Sequence, residues 1–323
     1  MKSQQLVLFI CCFFITGRFA IAVDPGLDWK TIESEHLYVH YAEGNKSLAE
    51  RALVIAELAH QRLTEEFDWE PVEKTHIILS DESDQPNGYA TPVFFNRTVL
   101  FLAPPSSVNT LEDFDDWFTT LIVHEYTHIV HLDKSSGSPQ YLRNVFGRFL
   151  FLFPNLFQPS WVLEGVATLK ETDIEHGTGR GQSALFASMM REELGNGLQP
   201  VSHVNLPVST WPAGTTRYLY GVYFMNFLVE EYGEDKLHEW IEEYGNNLLP
   251  FFINTNARQT LGKNLTPLWQ EFEQWLQGKF QSQIDLIKAK GIKQGEQLSV
   301  GAYRSNAVHA FSTEKGDEIY YVS

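Results

Sequence analysis

Two histidines stand four residues apart in a helical stretch, and this pair constrains the fold more than any other feature. The pentapeptide H-E-Y-T-H, residues 124–128, lies within residues 114–132, where apolar residues recur at helical spacing. Residues four apart share a helix face, so the imidazoles of His124 and His128 can reach one metal ion. Glu125 lies about 100° further round the helix, where its carboxylate can act on a water at the metal without ligating the ion.

A third ligand is offered by Glu164, which stands before Gly165 in W-V-L-E-G-V-A at the start of a second helical run. A catalytic zinc site needs three protein ligands and an open fourth position, and two histidines with one glutamate are an established set. We therefore predict Zn²⁺ bound by His124, His128 and Glu164. The alternative is structural: a buried helix with two hydrogen-bonded histidines, and a carboxylate favoured by a helix dipole.

H-E-Y-T-H followed by W-x-x-E-G-x-A resembles the gluzincin branch of the peptidase MA clan, the thermolysin-like zinc peptidases. The resemblance covers roughly residues 28–290, and it implies the same three zinc ligands with Glu125 as the general base that activates zinc-bound water. The sequence departs from the family in the 35 residues between His128 and Glu164, a longer gap than usual. Thr168 stands where thermolysin has a supporting aspartate, which leaves open what orients the histidines.

A second resemblance lies at residues 217–221, R-Y-L-Y-G, which are similar to the Tyr-x-x-Gly helix start of the membrane alanyl-aminopeptidases. It implies that Tyr218 stabilises the oxyanion, with an ordinary aromatic residue at a helix start as the alternative. Tyr220 and Tyr223 stand close by in the sequence. The amine-binding Gly-x-Met-Glu-Asn segment of that group has no counterpart before His124, so we favour an endopeptidase or an unspecified peptidase.

The order of elements predicts an α+β fold with an N-terminal mixed α/β lobe at residues 23–113 and a mainly α lobe at 114–290, and the resemblance implies that this fold is thermolysin-like. Strands are predicted at 36–42 and 75–79, and a hairpin at 92–102 has an edge strand on which an extended substrate can pair. Apolar periodicity predicts a helix at 47–67 and further helices at residues 183–194, 220–232, 236–244 and 267–289. Glycines and prolines predict a loop between the zinc helices.

The ends of the chain predict a leader and a further domain. Residues 1–22 have the charged start, apolar run and A-x-A end of a secretory signal peptide. We therefore expect export across the inner membrane to the periplasm, the cell envelope or the exterior. Residues 310–322 resemble the repeat of TolB-like β-propellers, which implies that residues 291–323 begin a propeller through which a partner can bind.

Composition and apolar density indicate what the chain contacts. A formal charge of −17 disfavours nucleic-acid binding, which depends on basic patches. Residues 146–157 are rich in phenylalanine, and we interpret them either as a lid over the site or as a surface that meets a membrane or an envelope protein.

Arg180 is a candidate for binding a substrate carboxylate. His131 lies about 10 Å along the helix from His124, too far to share its ion.

These features predict a zinc peptidase that hydrolyses a peptide or protein substrate. The alternative is a catalytically idle, zinc-stabilised scaffold that presents a propeller to envelope partners. Glu125 favours the first, because a scaffold has no need of a base beside its metal.

Overall fold

The computed structural model describes residues 24, 26–105, 116–205, 211–249, 251–291, 295, 308–313 and 316–321. The predicted signal peptide lies outside the described residues. Strands come first and helices dominate afterwards, so the fold is mixed α/β, in agreement with the α+β prediction.

A five-stranded sheet occupies the N-terminal part of the described chain. Its strands, in chain order, are β1 Trp29–Glu33, β2 Leu37–Ala42, β3 Thr75–Ser80, β4 Gly88–Thr91 and β5 Arg97–Phe101. They are arranged in the order β1-β2-β3-β5-β4. The neighbours β2–β3 and β3–β5 are parallel, whereas β1 and β4 pair antiparallel with β2 and β5. β4 is therefore an edge strand.

The edge strand lies earlier in the chain than the sequence predicted. Residues 92–96 connect β4 to β5, although V-F-F at 93–95 reads as a strand. Pro92 has no N–H for a ladder, and Phe94 has a φ of 67°, a left-handed conformation that interrupts an extended chain. The predicted hairpin is correct in its second strand and wrong in its first.

The described residues form ten α-helices. Their bounds are α1 Lys46–Phe67, α2 Trp117–Asp133, α3 Gly137–Phe146, α4 Ser160–Lys170, α5 Ala184–Asn196, α6 Val201–Val204, α7 Thr216–Tyr232, α8 Glu234–Gly245, α9 Ile253–Leu261 and α10 Leu265–Ala289. The helices that the sequence predicted are all present. β1, α3, α6 and α9 were not predicted.

The connection between α2 and α4 is ordered rather than a loop. It contains α3 and two 3₁₀ turns, Leu150–Leu152 and Pro154–Phe157. Pro139 is compatible with α3 because it stands in the first turn, where a missing N–H costs no hydrogen bond. Buried Asp133 anchors the connection: Arg148 Nη2 lies 2.9 Å from its Oδ1, and Arg143 Nη1 donates to its carbonyl at 2.8 Å.

One hydrophobic core joins the sheet to the helices. It extends from Leu37 on β2 to Ile284 on α10. Within it, α4 and α7 cross at Gly165 and Gly221, where a Cβ on Gly165 would lie 2.6–2.7 Å from the backbone of Gly221. The two helices therefore meet backbone to backbone.

The last described residues form an antiparallel hairpin of β6 Val308–Thr313 and β7 Gly316–Tyr321. None of the described helices combines the length and the apolar character that crossing a bilayer requires.

Candidate metal centre

His124 and His128 lie on helix α2, most of which is buried in the interior of the protein. It begins at Asp116, whose side chain accepts a hydrogen bond from the Thr119 amide at 3.3 Å. Beyond its first turn the helix is buried on almost every side. His124 and His128 therefore project into a shielded space, and their side chains are 5% and 12% exposed.

Glu164 on α4 is the third member of the group, together with His124 and His128. Its Oε2 lies 3.2 Å from His124 Nε2 and 3.5 Å from His128 Nε2. Tetrahedral zinc with ligand bonds of about 2.0–2.1 Å separates its ligand atoms by about 3.3 Å. The rings of His124 and His128 stand at 89° with centroids 4.8 Å apart, which allows both to address one ion. The three side chains that the sequence singled out are therefore spaced as metal ligands.

A second group of potential ligands consists of His36, His60 and Glu70. The rings of His36 and His60 are stacked, 3.9 Å apart and 15° from parallel. An ion lies close to the plane of each imidazole that binds it, and two stacked planes share no such point. This group is therefore a poorer metal site than the first.

Glu171 and Arg180 hold His124 from behind. His124 Nδ1 lies 2.7 Å from Glu171 Oε2 and 2.9 Å from Arg180 Nη2. Arg180 also donates from Nε to Glu171 Oε1 at 2.6 Å and from Nη2 to Oε2 at 2.7 Å. A carboxylate on Nδ1 fixes the ring and directs Nε2 to the ligand position. Arg180 is thus committed to Glu171, and the prediction that it binds substrate is wrong.

The charges of this group are set by burial and by close partners. Burial opposes protonation of His124, but hydrogen bonds to Glu164 and Glu171 outweigh it and raise its pKa to about 9. Burial also opposes ionisation of Glu171, but the Arg180 charge lowers its pKa to about 2. Burial opposes ionisation of Glu164 as well, but hydrogen bonds with His124 and His128 hold its pKa well below the usual value. Both carboxylates are therefore ionised at neutral pH.

Glu125 is buried beside the ligands, with a free carboxylate oxygen. Its Oε2 has no hydrogen-bond partner among the described residues. Burial raises the pKa of Glu125. Gly88 on the edge strand β4 passes so close that a Cβ there would lie 2.7–2.9 Å from the Glu125 side chain. The strand and the carboxylate thus face each other at the site.

Of the tyrosines at 218, 220 and 223, Tyr218 lies beside the group formed by His124, His128 and Glu164. It stands in the first turn of α7, its ring centroid is 6.1 Å from that of His124, and burial raises its pKa to about 12. Tyr220 instead donates to Glu193 at 2.5 Å, and Tyr223 packs against Phe280. Of the three candidates, only Tyr218 has a described contact with a metal-site residue.

Sequence reasoning missed Glu171, although it stands seven residues after Glu164, two turns along the same face. That spacing was a usable signal. Thr168, one turn after Glu164, is fully buried, and its hydroxyl has no partner among the described residues. His131 is buried, 3.2 Å from Gln158, and lies outside the ligand group, as predicted.

In comparisons with models of known protein families and with curated proteins, nothing matches this chain.

Proposed function

We propose that this protein is a zinc-dependent peptidase of the gluzincin type, in which His124, His128 and Glu164 bind zinc. The observation that carries the proposal is the convergence of both Nε2 atoms on Glu164 Oε2, next to the unpartnered carboxylate oxygen of Glu125. An unpartnered buried carboxylate costs free energy, so a purely structural site gains nothing from it. A base for catalysis has a reason to be there.

The residues of the site divide the work of peptide-bond hydrolysis. When bound, zinc supplies Lewis-acid polarisation and makes water more acidic. Glu125 takes the proton of the attacking water and returns it to the leaving amine, and its raised pKa suits this task at neutral pH. Tyr218 donates its hydroxyl to the oxyanion that forms at the carbonyl carbon. Glu171 and Arg180 keep His124 in its ligating orientation.

The substrate in this proposal is an extended peptide or an unfolded segment of a protein. β4 is paired on one side only among the described strands, and its Gly88 lies against Glu125. A peptide that adds to this edge through main-chain hydrogen bonds brings its backbone alongside the base. The absence of a side chain at Gly88 leaves room for that approach.

The wider setting belongs to the same proposal. Residues 23–113 and 114–290 are the two lobes of a thermolysin-like peptidase, and the hairpin of β6 and β7 begins a TolB-like propeller in residues 291–323 that recruits a partner. A signal peptide at residues 1–22 directs the protein to the periplasm, the envelope or the exterior. Residues 146–157 contact a membrane surface or an envelope protein.

The test measures metal content and turnover together. Purified protein should hold one zinc per chain by elemental analysis and cleave a generic peptide library in a chelator-sensitive way. Glu125→Gln should keep zinc and fold but lose nearly all turnover, whereas Glu239→Gln, at an exposed position of α8, should retain it. Zinc with no cleavage by the wild type would favour the idle scaffold, and absence of zinc would exclude both functions.

A further inference from the structure

A cavity of about 400 Å³ opens next to Glu164. The start of α4, the end of α6 and the residues that lead into α7 enclose it, and its polar lining consists of Ser160, Asn205, Thr216 and Arg217. Arg217 is the one charged group among the described residues that line it. Arg217 links the cavity to the metal group, since its Nε lies 3.7 Å from Glu164 Oε1.

The guanidinium of Arg217 is available for a ligand. Its side chain is 46% exposed, and its Nε lies 3.7 Å from Glu164 Oε1. Nη2 lies 3.5 Å from the Tyr218 hydroxyl. Both distances are at or beyond the limit of a hydrogen bond, although a guanidinium offers five N–H donors. The ring of Tyr218, 5.2 Å from the guanidinium carbon, holds the side chain in place.

The two hydroxyls of the cavity and the side-chain oxygen of Asn205 already have hydrogen-bond partners. The amide and hydroxyl of Ser160 both donate to Asn205 Oδ1, at 2.6 and 2.8 Å. The Thr216 hydroxyl donates to the Ala213 carbonyl at 2.7 Å. Arg180, the other arginine near the site, makes a two-point contact with Glu171. A charged ligand that enters this space therefore meets Arg217 as its partner.

The chain as a whole repels anions, since its formal charge is −17. Long-range attraction does not bring an anionic peptide to such a surface. Arg217, an exposed cation next to Glu164, therefore contributes by binding an anionic group that is already in the cavity, rather than by attracting the peptide from a distance. Guanidinium and carboxylate match in a planar, two-point geometry, which makes a carboxylate the favoured ligand.

We propose that Arg217 and this cavity form a subsite that binds a carboxylate of the substrate. The subsite would select peptides that carry a carboxylate within one to two residues of the bond that is cleaved, because an extended residue spans about 3.5 Å. The carboxylate is either the free C-terminus of the peptide or the side chain of an aspartate or glutamate. The inference rests on the proposed peptidase function.

The experiment compares zinc-loaded protein on matched peptides. One pair ends in a free acid or an amide, and a second pair, amidated, carries Asp or Asn next to the cleaved bond. A hydrogen-bonded charge of this kind contributes about ten- to a hundredfold in kcat/KM, so wild type should prefer at least one acidic peptide by that factor. Preference for the free acid identifies the C-terminus, and preference for Asp identifies the side chain.

The variants locate the preference at Arg217. Arg217→Met should reduce the acid-to-neutral ratio to about one while zinc content stays at one per chain, and Arg217→Lys should keep part of the ratio because it offers a point charge. Arg258→Met, at an exposed position of α9, should behave as wild type. Binding of the acidic peptide to Glu125→Gln protein, measured by calorimetry, should weaken by the same factor when Arg217→Met is added.

The outcomes separate the subsite from the peptidase function. Cleavage of all four peptides at equal kcat/KM overturns the subsite and leaves the peptidase intact. A preference that survives Arg217→Met also overturns it. If the wild type cleaves no peptide at all, the proposed function fails, and this inference fails with it.

Discussion

His124 is held from two sides at the scale of single residues. Glu164 faces its Nε2, and Glu171 faces its Nδ1 from the end of α4. One helix thus supplies both the third ligand and the group that orients the first. The carboxylate that contacts a histidine of the group thus stands at Glu171 rather than at position 168.

We expect Glu171→Gln to weaken zinc binding by about ten- to a hundredfold, the usual effect of losing such a supporting group. The change also leaves the buried Arg180 without its carboxylate, which costs about 3–5 kcal/mol of folding free energy. Combining Glu171→Gln with Arg180→Met should restore stability but not affinity. Zinc affinity by chelator competition and unfolding by denaturant measure the two effects, and unchanged affinity in Glu171→Gln would contradict the role.

Tyr218→Phe should lower kcat by roughly 10²–10³ with little change in zinc content, because it removes one hydrogen-bond donor to the oxyanion. Tyr220→Phe and Tyr223→Phe are matched controls on the same helix that contact Glu193 and Phe280 instead. Their kcat should stay near that of the wild type. A larger fall of kcat in either control than in Tyr218→Phe would assign the stabilisation of the oxyanion to that other tyrosine.

The grouping of His124, His128 and Glu164 was predictable because short, local sequence patterns indicate it. Glu171 was also within reach of helical spacing, whereas its partner Arg180 was not. That contact depends on the bridge between Asp173 and Thr178, which turns the chain back towards α4. Such a contact follows from tertiary folding and leaves no period in the sequence.

At the scale of elements, the segment between α2 and α4 is the largest departure from prediction. Its prolines and glycines indicate a loop, but Arg143 and Arg148 fix it to Asp133 and enclose the buried ring of Phe153, 4.8 and 5.1 Å from their guanidinium carbons. Ion pairs and ring contacts formed with α2 stabilise it. By contrast, α1 and α10 end within two residues of their predicted limits, since long apolar periods specify them locally.

The same segment presents an apolar surface that continues onto another part of the chain. Phe149 and Phe151 are 56% and 67% exposed. Phe151 stacks on Phe157, which meets Phe251 edge to face, and Phe251 is itself 73% exposed. A lid that covered the site would bury these rings. Their exposure favours the surface interpretation of residues 146–157.

We expect wild-type protein to sediment with phosphatidylcholine vesicles and the double variant Phe149→Ser, Phe151→Ser to bind them at least tenfold more weakly, because each buried phenylalanine contributes about 1.5–3 kcal/mol. Val54→Ser with Leu58→Ser is a matched control, since these α1 side chains are also exposed and apolar. Equal sedimentation of the double variant and the wild type would rule out a membrane contact through this surface.

At the scale of the whole molecule, sheet and helices share one core, and the metal ligands join two of its helices. Zinc at a thousand times its dissociation constant adds about 4 kcal/mol to the free energy of unfolding. For a protein of this size that raises Tm by about 6 °C. We expect a chelator to lower Tm by this amount in wild type, measured by calorimetry. In His128→Ala protein the chelator should have little effect, and a similar fall there would mean that the metal binds elsewhere.

Gly165 follows a metal ligand and Gly221 stands three residues after Tyr218, and the two glycines touch across α4 and α7. Neither position can gain a side chain without moving α4 away from α7, so we expect related chains to keep both glycines together. Distant relatives with the same centre are therefore recognisable by a joint signature of three short patterns, H-E-x-x-H, then E-G, then Y-x-x-G, whatever the lengths between them. A sequence that keeps the first two but carries a bulky residue in place of the last glycine is expected to lack the tyrosine as well.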